Sequence, residues 1–244
     1  MQKTGKMDNI TAMIFAAGLG TRLRPFTLTA PKALFPINGK PLLQRNIEYA
    51  QSFGIQRFVI NVHHFSDQIL NFLKQHDNFG AEILISDETD ELLETGGGLL
   101  KAKNLLGNQD FLILNSDILT DINLKQLIDF HKKNNALASL AVSDRESTRK
   151  LLFDTQNRLC GWRDLRNNQE IIARENLSKS LAFSGVHMLS PLFFEKNRFS
   201  GKFSIMKSYL DLMTDENILG FAHNAKVLDI GKPEATTLAE KYFK

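Results

Sequence analysis

The chain has 244 residues, 43% of them hydrophobic and 23% charged, with a formal net charge of +3. That is the composition of a globular protein able to bury a sizeable core, and no apolar run reaches the roughly 20 residues a helical membrane span needs. The single cysteine, Cys160, excludes an internal disulfide and a cysteine-based metal site; lysines and arginines are dispersed, without the basic block that marks nucleic-acid binding.

The N-terminal "MQKTGKMDNITA" carries positive charge but no apolar h-region, so it reads as a lead-in over residues 1–10 rather than a secretory signal. A reducing cytoplasm is the expected setting. From there, short β-rich apolar runs alternate with longer stretches of helical spacing. The runs "MIFAA", "RFVINVHH", "AEILIS", "FLILNSD" and "ASLAVSD" predict strands, and their near-continuous apolarity predicts that both faces are covered. "PLLQRNIEYAQSFG" puts Leu43, Ile47 and Ala50 on one helical face and ends at Gly54. "SDQILNFLKQHD" begins at a capping Ser66 and aligns Ile69, Phe72 and Leu73. "DINLKQLIDFHKKNN" groups Leu124, Leu127 and Ile128 and gathers lysines where the helix dipole favours them. Strand–helix alternation implies crossover connections, hence an α/β, Rossmann-like, mainly parallel sheet flanked by helices. After Asp144 the pattern changes. "KLLFDTQNRLCGWRD" and "SLAFSGVHMLS" predict a small antiparallel insertion over about residues 145–200. A helix near 205–214, a strand "AKVLDIG" and a helix near 233–242 complete a single domain over 1–244.

Ligands of parallel sheets sit at the carboxyl ends of the strands. The stretch after the first strand, "GLGTRLRPFTLTAPKALFP", is suited to that edge. Gly18 and Gly20 let backbone N–H groups approach phosphate oxygens. Arg22 and Arg24 add charge, and Lys32 lies on a return segment stiffened by Pro31 and Pro36. The stretch is neither a Walker A loop nor the dinucleotide fingerprint, and a solvated glycine-rich connector is the plain alternative. Asp117 ends "FLILNSD" and Asp229 ends "AKVLD". Each either caps a turn or, with the other, grips one Mg²⁺. "LLETGGGLLKAKNLL" sets three glycines before a helical run. In "LAFSGVHMLSPLFFE", Ser184 and Gly185 interrupt an apolar strand, a sign of close ligand approach. His63 and His64 lack further zinc ligands at suitable spacing. Trp162, Phe193, Phe194 and Phe199 read as core or interface.

Taken whole, "FAAGLGTRLRPFTLTAPKALFPINGKPLL" resembles the signature of the sugar-1-phosphate nucleotidylyltransferases, A-A-G-x-G-x-R-x-x-P-x-T-x-x-x-P-K-x-x-x-P. The resemblance implies the nucleotide-diphospho-sugar transferase fold. It implies a loop of Ala16, Ala17, Gly18, Gly20 and Thr21 around NTP phosphates, Arg22 steadying pyrophosphate, and Lys32 near the reacting centre. It also implies Mg²⁺ on Asp117 and Asp229, the latter in a W-x-D-x-G-x-P-E segment with Val227 in place of tryptophan. The family's nucleoside loop, often L-G-T-A-G-A, corresponds to Glu94, Thr95, Gly96 and Gly97, and the form "ETGGG" resembles the N-acetylmuramate 1-phosphate uridylyltransferase branch. Asn115, Ser184 and Gly185 fall on the sugar side, while the family's Glu-Lys-Pro element is not visible; "LCGWRDLRN" stands near its place. No hexapeptide repeats follow the last helix in this sequence, so the bifunctional acetyltransferase type is not expected. The expected substrates are an NTP and a sugar 1-phosphate, with UTP and N-acetylmuramate 1-phosphate favoured and a role in cell-wall precursor recycling. A mannose-1-phosphate guanylyltransferase, a cytidylyltransferase and a non-catalytic nucleotide-sugar sensor are the alternatives. No nucleic-acid or membrane partner is expected, and the protein is read as a monomer or homodimer.

Overall fold

The computed structural model describes residues 10–231 and 233–243; apart from Ile10, the expected lead-in lies outside them. The first half runs β1 (Thr11–Phe15), a hairpin of β2 (Pro36–Ile37) and β3 (Lys40–Pro41), α1 (Leu42–Ser52), β4 (Arg57–Val62), α2 (Ser66–Gln75) and β5 (Glu82–Asp87). It continues with α3 (Glu94–Lys101), α4 (Lys103–Leu106), β6 (Phe111–Asn115), β7 (Ile118–Thr120), α5 (Leu124–Asn134) and β8 (Ala138–Ser143). The second half runs β9 (Arg149–Phe153), β10 (Leu159–Asp164), β11 (Gln169–Ile172), β12 (Lys179–Leu189), α6 (Phe193–Lys196) and α7 (Ile205–Leu212), then β13 (Ile218–Ala222), β14 (Val227–Asp229) and α8 (Pro233–Tyr242).

The main sheet has the order β5-β4-β1-β6-β12-β8-β13, and only β12 runs against the rest. Its inner strands are apolar on both faces because both are covered. Leu43 and Ile47 of α1, Ile69 of α2 and Leu127 of α5 pack on one side. Leu99 of α3, Phe193 of α6 and Tyr209 and Leu212 of α7 pack on the other. Strand β1 stops at Phe15, two residues before the apolar run ends. The N–H of Ala16 turns instead to the Asn61 side chain, at 2.7 Å, and the chain leaves the sheet there.

Strand β12 serves two sheets. Its C-terminal half pairs with β6, and its N-terminal half carries β9, β10 and β11 in antiparallel succession. The register on β8 slips between Phe183 and His187, and Gly185 inside that slip has φ 71°. This is a bulge, which bends the strand from one sheet toward the other. The three glycines of "ETGGG" lie inside the first turns of α3 rather than before it. Because every strand of the main sheet except β12 points the same way, the ends of β1, β6 and β8 open on one edge. Among the described residues, no helix is long and apolar enough to cross a membrane.

Candidate active site

The loop leaving β1 folds back on itself at Gly20, whose φ of 61° is left-handed. A Cβ there would stand 2.7 Å from the Lys32 Cβ and 3.0 Å from the Thr27 Cγ2, so only glycine lets the loop close on its own return segment. Thr27 Oγ1 fastens the closure by donating to the Gly20 carbonyl at 3.0 Å. Lys32 is thereby buried beneath the loop, and its Nζ donates to Asp117 Oδ2 at 2.5 Å. The cation of the loop and the aspartate beyond β6 meet across 85 positions of sequence.

Two cavities open here, and this pair lines the smaller of them. The smaller, about 530 Å³, is lined by Ala17, Gly18, Gly20, Thr21, Lys32 and Asp117, with Glu94, Thr95 and Asn115 opposite. The larger, about 1040 Å³, is lined by Arg145, Arg149, Lys150, Arg166 and Asp229. Arg22 borders both. Asp229 pairs in register with Ile118, and the Ile230 N–H donates to the Asp117 carbonyl at 2.8 Å. The β7–β14 ladder thus sets the two aspartates at neighbouring positions. Gly231 keeps the space beside them open: a Cβ on it would stand 2.5 Å from Arg22 Nη2 and 2.6 Å from Asp229 Oδ1.

The donor set fits Mg²⁺. Among the described residues there is no group of three or more His, Cys, Asp or Glu placed to hold a metal, but Mg²⁺ ordinarily takes one or two carboxylates and completes its shell with phosphate oxygens and water. Asp117 at the smaller cavity and Asp229 at the larger are the two carboxylates that the β7–β14 ladder sets at neighbouring positions.

A second layer holds the loop in place. Asn61 is buried; its Oδ1 accepts from Ala16 N–H, and its Nδ2 donates to Glu88 Oε1 at 2.7 Å. Glu88 is fully buried, and its other oxygen accepts the Leu93 N–H at 3.1 Å. One amide and one carboxylate therefore fix both the exit of β1 and the entry to α3. Asn61→Ala strips the carboxylate of a donor and the Ala16 N–H of its acceptor. Leaving such groups buried and unpaired costs about 1–3 kcal/mol, more for a charge. The expected result is a loss of about 3 kcal/mol in urea unfolding; a change under about 0.5 kcal/mol would remove Asn61 from this role.

The residues assigned to the nucleoside separate into two groups. Glu94, at φ 60°, is exposed and faces the smaller cavity. Thr95 also reaches it, while its Oγ1 accepts the Ile205 N–H at 2.9 Å and so caps α7. Gly96 and Gly97 are buried away from the cavity. A Cβ would stand 2.2 Å from the Phe203 ring at the first and 2.1 Å from the Gly201 carbonyl oxygen at the second. Their small size seats α3 against residues 201–203. On the sugar side, Asn115 lines the smaller cavity. Ser184 is fully buried and bonded to His223 Nε2 at 2.9 Å, outside both cavities. Gly185 packs on Asn115 and Ile118 from behind.

Four residues beyond those expected from the sequence stand here: Asn61 and Ser204 line the smaller cavity, Gly231 lies beside Arg22 and Asp229, and Arg145 lines the larger cavity. Arg145 directly follows the segment in which β8 ends, at the edge where β1 and β6 also end, and that position is its signal in the sequence. Burial pulls its guanidinium below the ordinary value, opposed by the Asp229 carboxylate. Its Nη2 donates to the Phe183 carbonyl at 2.8 Å, and its buried Nε has no partner among the described residues.

A single antiparallel strand in a parallel sheet, a glycine loop after its central strand and strand-end aspartates define a nucleotide-diphospho-sugar transferase fold. The crystal structure of HddC from Yersinia pseudotuberculosis complexed with GMP-PN matches it with a TM-score of 0.76 at 24% identity, over 96% of this chain and 100% of that one. The Nucleotidyl transferase family profile matches residues 11–151, and the chain belongs to that family. It is 30% identical over 239 residues to the N-acetylmuramate alpha-1-phosphate uridylyltransferase of Caulobacter vibrioides, covering 94% of this chain and 95% of that protein. The mannose-1-phosphate guanyltransferase of Yarrowia lipolytica is 37% identical over 141 residues, which are 57% of this chain but only 39% of that protein.

Proposed function

We propose that the protein transfers a nucleoside monophosphate from an NTP to a sugar 1-phosphate, releasing pyrophosphate, and that its pair is UTP with N-acetylmuramate 1-phosphate. The observation that carries the reaction class is the Lys32–Asp117 pair beneath the glycine loop, with Arg22 standing between two cavities. The likeness over nearly the whole length of the Caulobacter uridylyltransferase supports the choice of substrates.

The smaller cavity takes the nucleotide. Backbone N–H groups around Gly18 and Gly20 meet its phosphates, and Glu94 and Thr95 stand on the nucleoside side. The larger cavity takes the acceptor. An oxygen of the acceptor phosphate attacks the α-phosphorus in line as the bond to pyrophosphate breaks. That phosphate is already largely deprotonated at neutral pH, so no general base is required. Two anions must instead be brought together, and catalysis is positioning with charge neutralisation. Lys32 presents its ammonium to the transferring phosphoryl group. Arg22 holds the phosphates at the border between the cavities. Asp117 and Asp229 would hold Mg²⁺, which when bound adds positive charge at the phosphates.

Crossed initial rates of UTP and GTP with N-acetylmuramate 1-phosphate and mannose 1-phosphate test the reading. The highest kcat/KM is expected for UTP with N-acetylmuramate 1-phosphate. A higher value for GTP with mannose 1-phosphate would transfer the assignment to the guanylyltransferases, a reading supported by the similarity to the Yarrowia enzyme.

A further inference from the structure

The larger cavity is more cationic than one phosphate requires. Arg22, Arg145, Arg149, Lys150 and Arg166 face it, against the carboxylates of Glu146 and Asp229. These cations divide by position. Arg22 and Asp229 converge over Gly231, beside the smaller cavity. Lys150 is committed to the backbone, with its Nζ donating to the Arg145 carbonyl at 2.7 Å. Arg149 and Arg166 stand elsewhere, on β9 and just past β10, joined through Asp164.

Asp164 is buried, and hydrogen bonds from Arg166 hold its carboxyl well below the usual carboxylate range. It accepts from Arg166 Nε at 2.9 Å and, more loosely, from Arg149 Nε at 3.4 Å. Arg166 Nη2 completes a two-point contact. One carboxylate thus orients two guanidinium groups and neutralises only one of them. The side chains of Arg149 and Arg166 remain 64% and 54% exposed. Both Nη groups of Arg149 and Nη1 of Arg166 carry no partner among the described residues. Arg149, with its Nε anchored and both Nη groups open, is arranged to receive a planar anion through two parallel bonds, and Arg166 offers its open Nη1.

We propose that Arg149 and Arg166, braced by Asp164, form a subsite for a carboxylate carried by the acceptor sugar, separate from the position of its 1-phosphate. The inference rests on the proposed placement of the acceptor in the larger cavity. It extends that reading by giving the acceptor class, a sugar 1-phosphate with a second, carboxylic, negative charge. N-acetylmuramate belongs to the class through its lactyl ether; N-acetylglucosamine is the same sugar without it.

The test compares matched acceptors with the full-length protein at saturating UTP and Mg²⁺. The pairs are N-acetylmuramate 1-phosphate with N-acetylglucosamine 1-phosphate, and glucuronate 1-phosphate with glucose 1-phosphate. The wild type is expected to favour the carboxylate member of at least one pair in kcat/KM. Arg149→Gln, which breaks only the looser contact to Asp164, is expected to lower that preference at least tenfold, mainly through KM. Arg149→Lys is expected to restore part of it, and Arg166→Gln to act in the same direction. Thermal unfolding of each variant separates this from a clamp on the turn after β10, which would change stability and affect both members of a pair alike. A preference within twofold of wild type in both Gln variants, or an equal fall for both members, overturns the subsite while leaving the reaction class intact. A preference for glucuronate but not for N-acetylmuramate keeps the subsite and removes the proposed sugar. No preference in either pair removes both.

Discussion

Lys32→Met is expected to lower kcat at least a hundredfold and leave the fold in place. The long stem of Lys32 lies against Gly20: the position of a Gly20 Cβ lies 2.7 Å from the Lys32 Cβ and 3.2 Å from its Cδ. Methionine keeps a flexible stem of similar volume there, so the loop retains its support. The ammonium disappears, and with it the bond to Asp117 Oδ2. Asp117 is left without this partner, but its side chain is 25% exposed, so water reaches it and the cost in stability stays small. The rate responds differently. A preorganised charge aimed at a developing anion is typically worth on the order of a hundredfold or more, and Lys32 is held rigidly by the loop, with little reorganisation left to perform. Single-turnover kinetics with saturating substrates check this, beside a melting curve. A fall below threefold would make Lys32 a structural pin for the loop.

The part of the site legible in the sequence is the part carried by contiguous backbone. The phosphate recognition by main-chain N–H groups that we propose needs a single uninterrupted segment, and residues 16–36 supply one. The parallel sheet was legible for a related reason, since strands covered on both faces have no polar alternation to hide them. What escaped depends on contacts between distant segments. Asn61 looked like one polar residue in an apolar strand, because nothing local shows that its amide holds the Ala16 N–H. Gly231 matched a pattern, yet the reason for a glycine, room for Arg22 and Asp229, exists only once the β7–β14 ladder has formed. Ser184 and Gly185 show the opposite difficulty. A strand interrupted by small residues signals a close approach, and sequence alone does not say by what. Here the approaching groups are the protein's own His223, Asn115 and Ile118. The same holds for Gly96 and Gly97, where Phe203 and the Gly201 carbonyl occupy the space. Arg149 and Arg166 sit 17 positions apart and acquire a common meaning only through Asp164.

Replacing the two aspartates is expected to separate the parts they play. Asp117→Asn preserves shape and removes the charge that faces Lys32 at 2.5 Å. Asp229→Asn removes the charge beside Arg22, which Gly231 leaves room for. If both carboxylates bind Mg²⁺ with the substrate phosphates, each variant raises the Mg²⁺ concentration needed for half-maximal rate, since the ion relies on few protein ligands and loses half of them. Saturating Mg²⁺ is expected to restore much of the Asp229→Asn rate. Asp117→Asn is expected to remain at least a hundredfold slow, because it disturbs the ammonium of Lys32 as well as the metal site. A double-mutant cycle sharpens the distinction. Groups that act as a unit are not additive, so Lys32→Met combined with Asp117→Asn is expected to be about as slow as the slower single variant. Lys32→Met with Asp229→Asn is expected to be slower than either alone. The Mg²⁺ titration of each purified variant, with inorganic pyrophosphate release as the readout, supplies every term. An unchanged Mg²⁺ concentration for half-maximal rate in both variants would refute the metal assignment, and near wild-type turnover by Asp117→Asn at saturating Mg²⁺ would show that Lys32 works without its bond to Asp117. Full additivity of Lys32→Met with Asp117→Asn would show that the lysine and the aspartate, though in contact, serve separate steps.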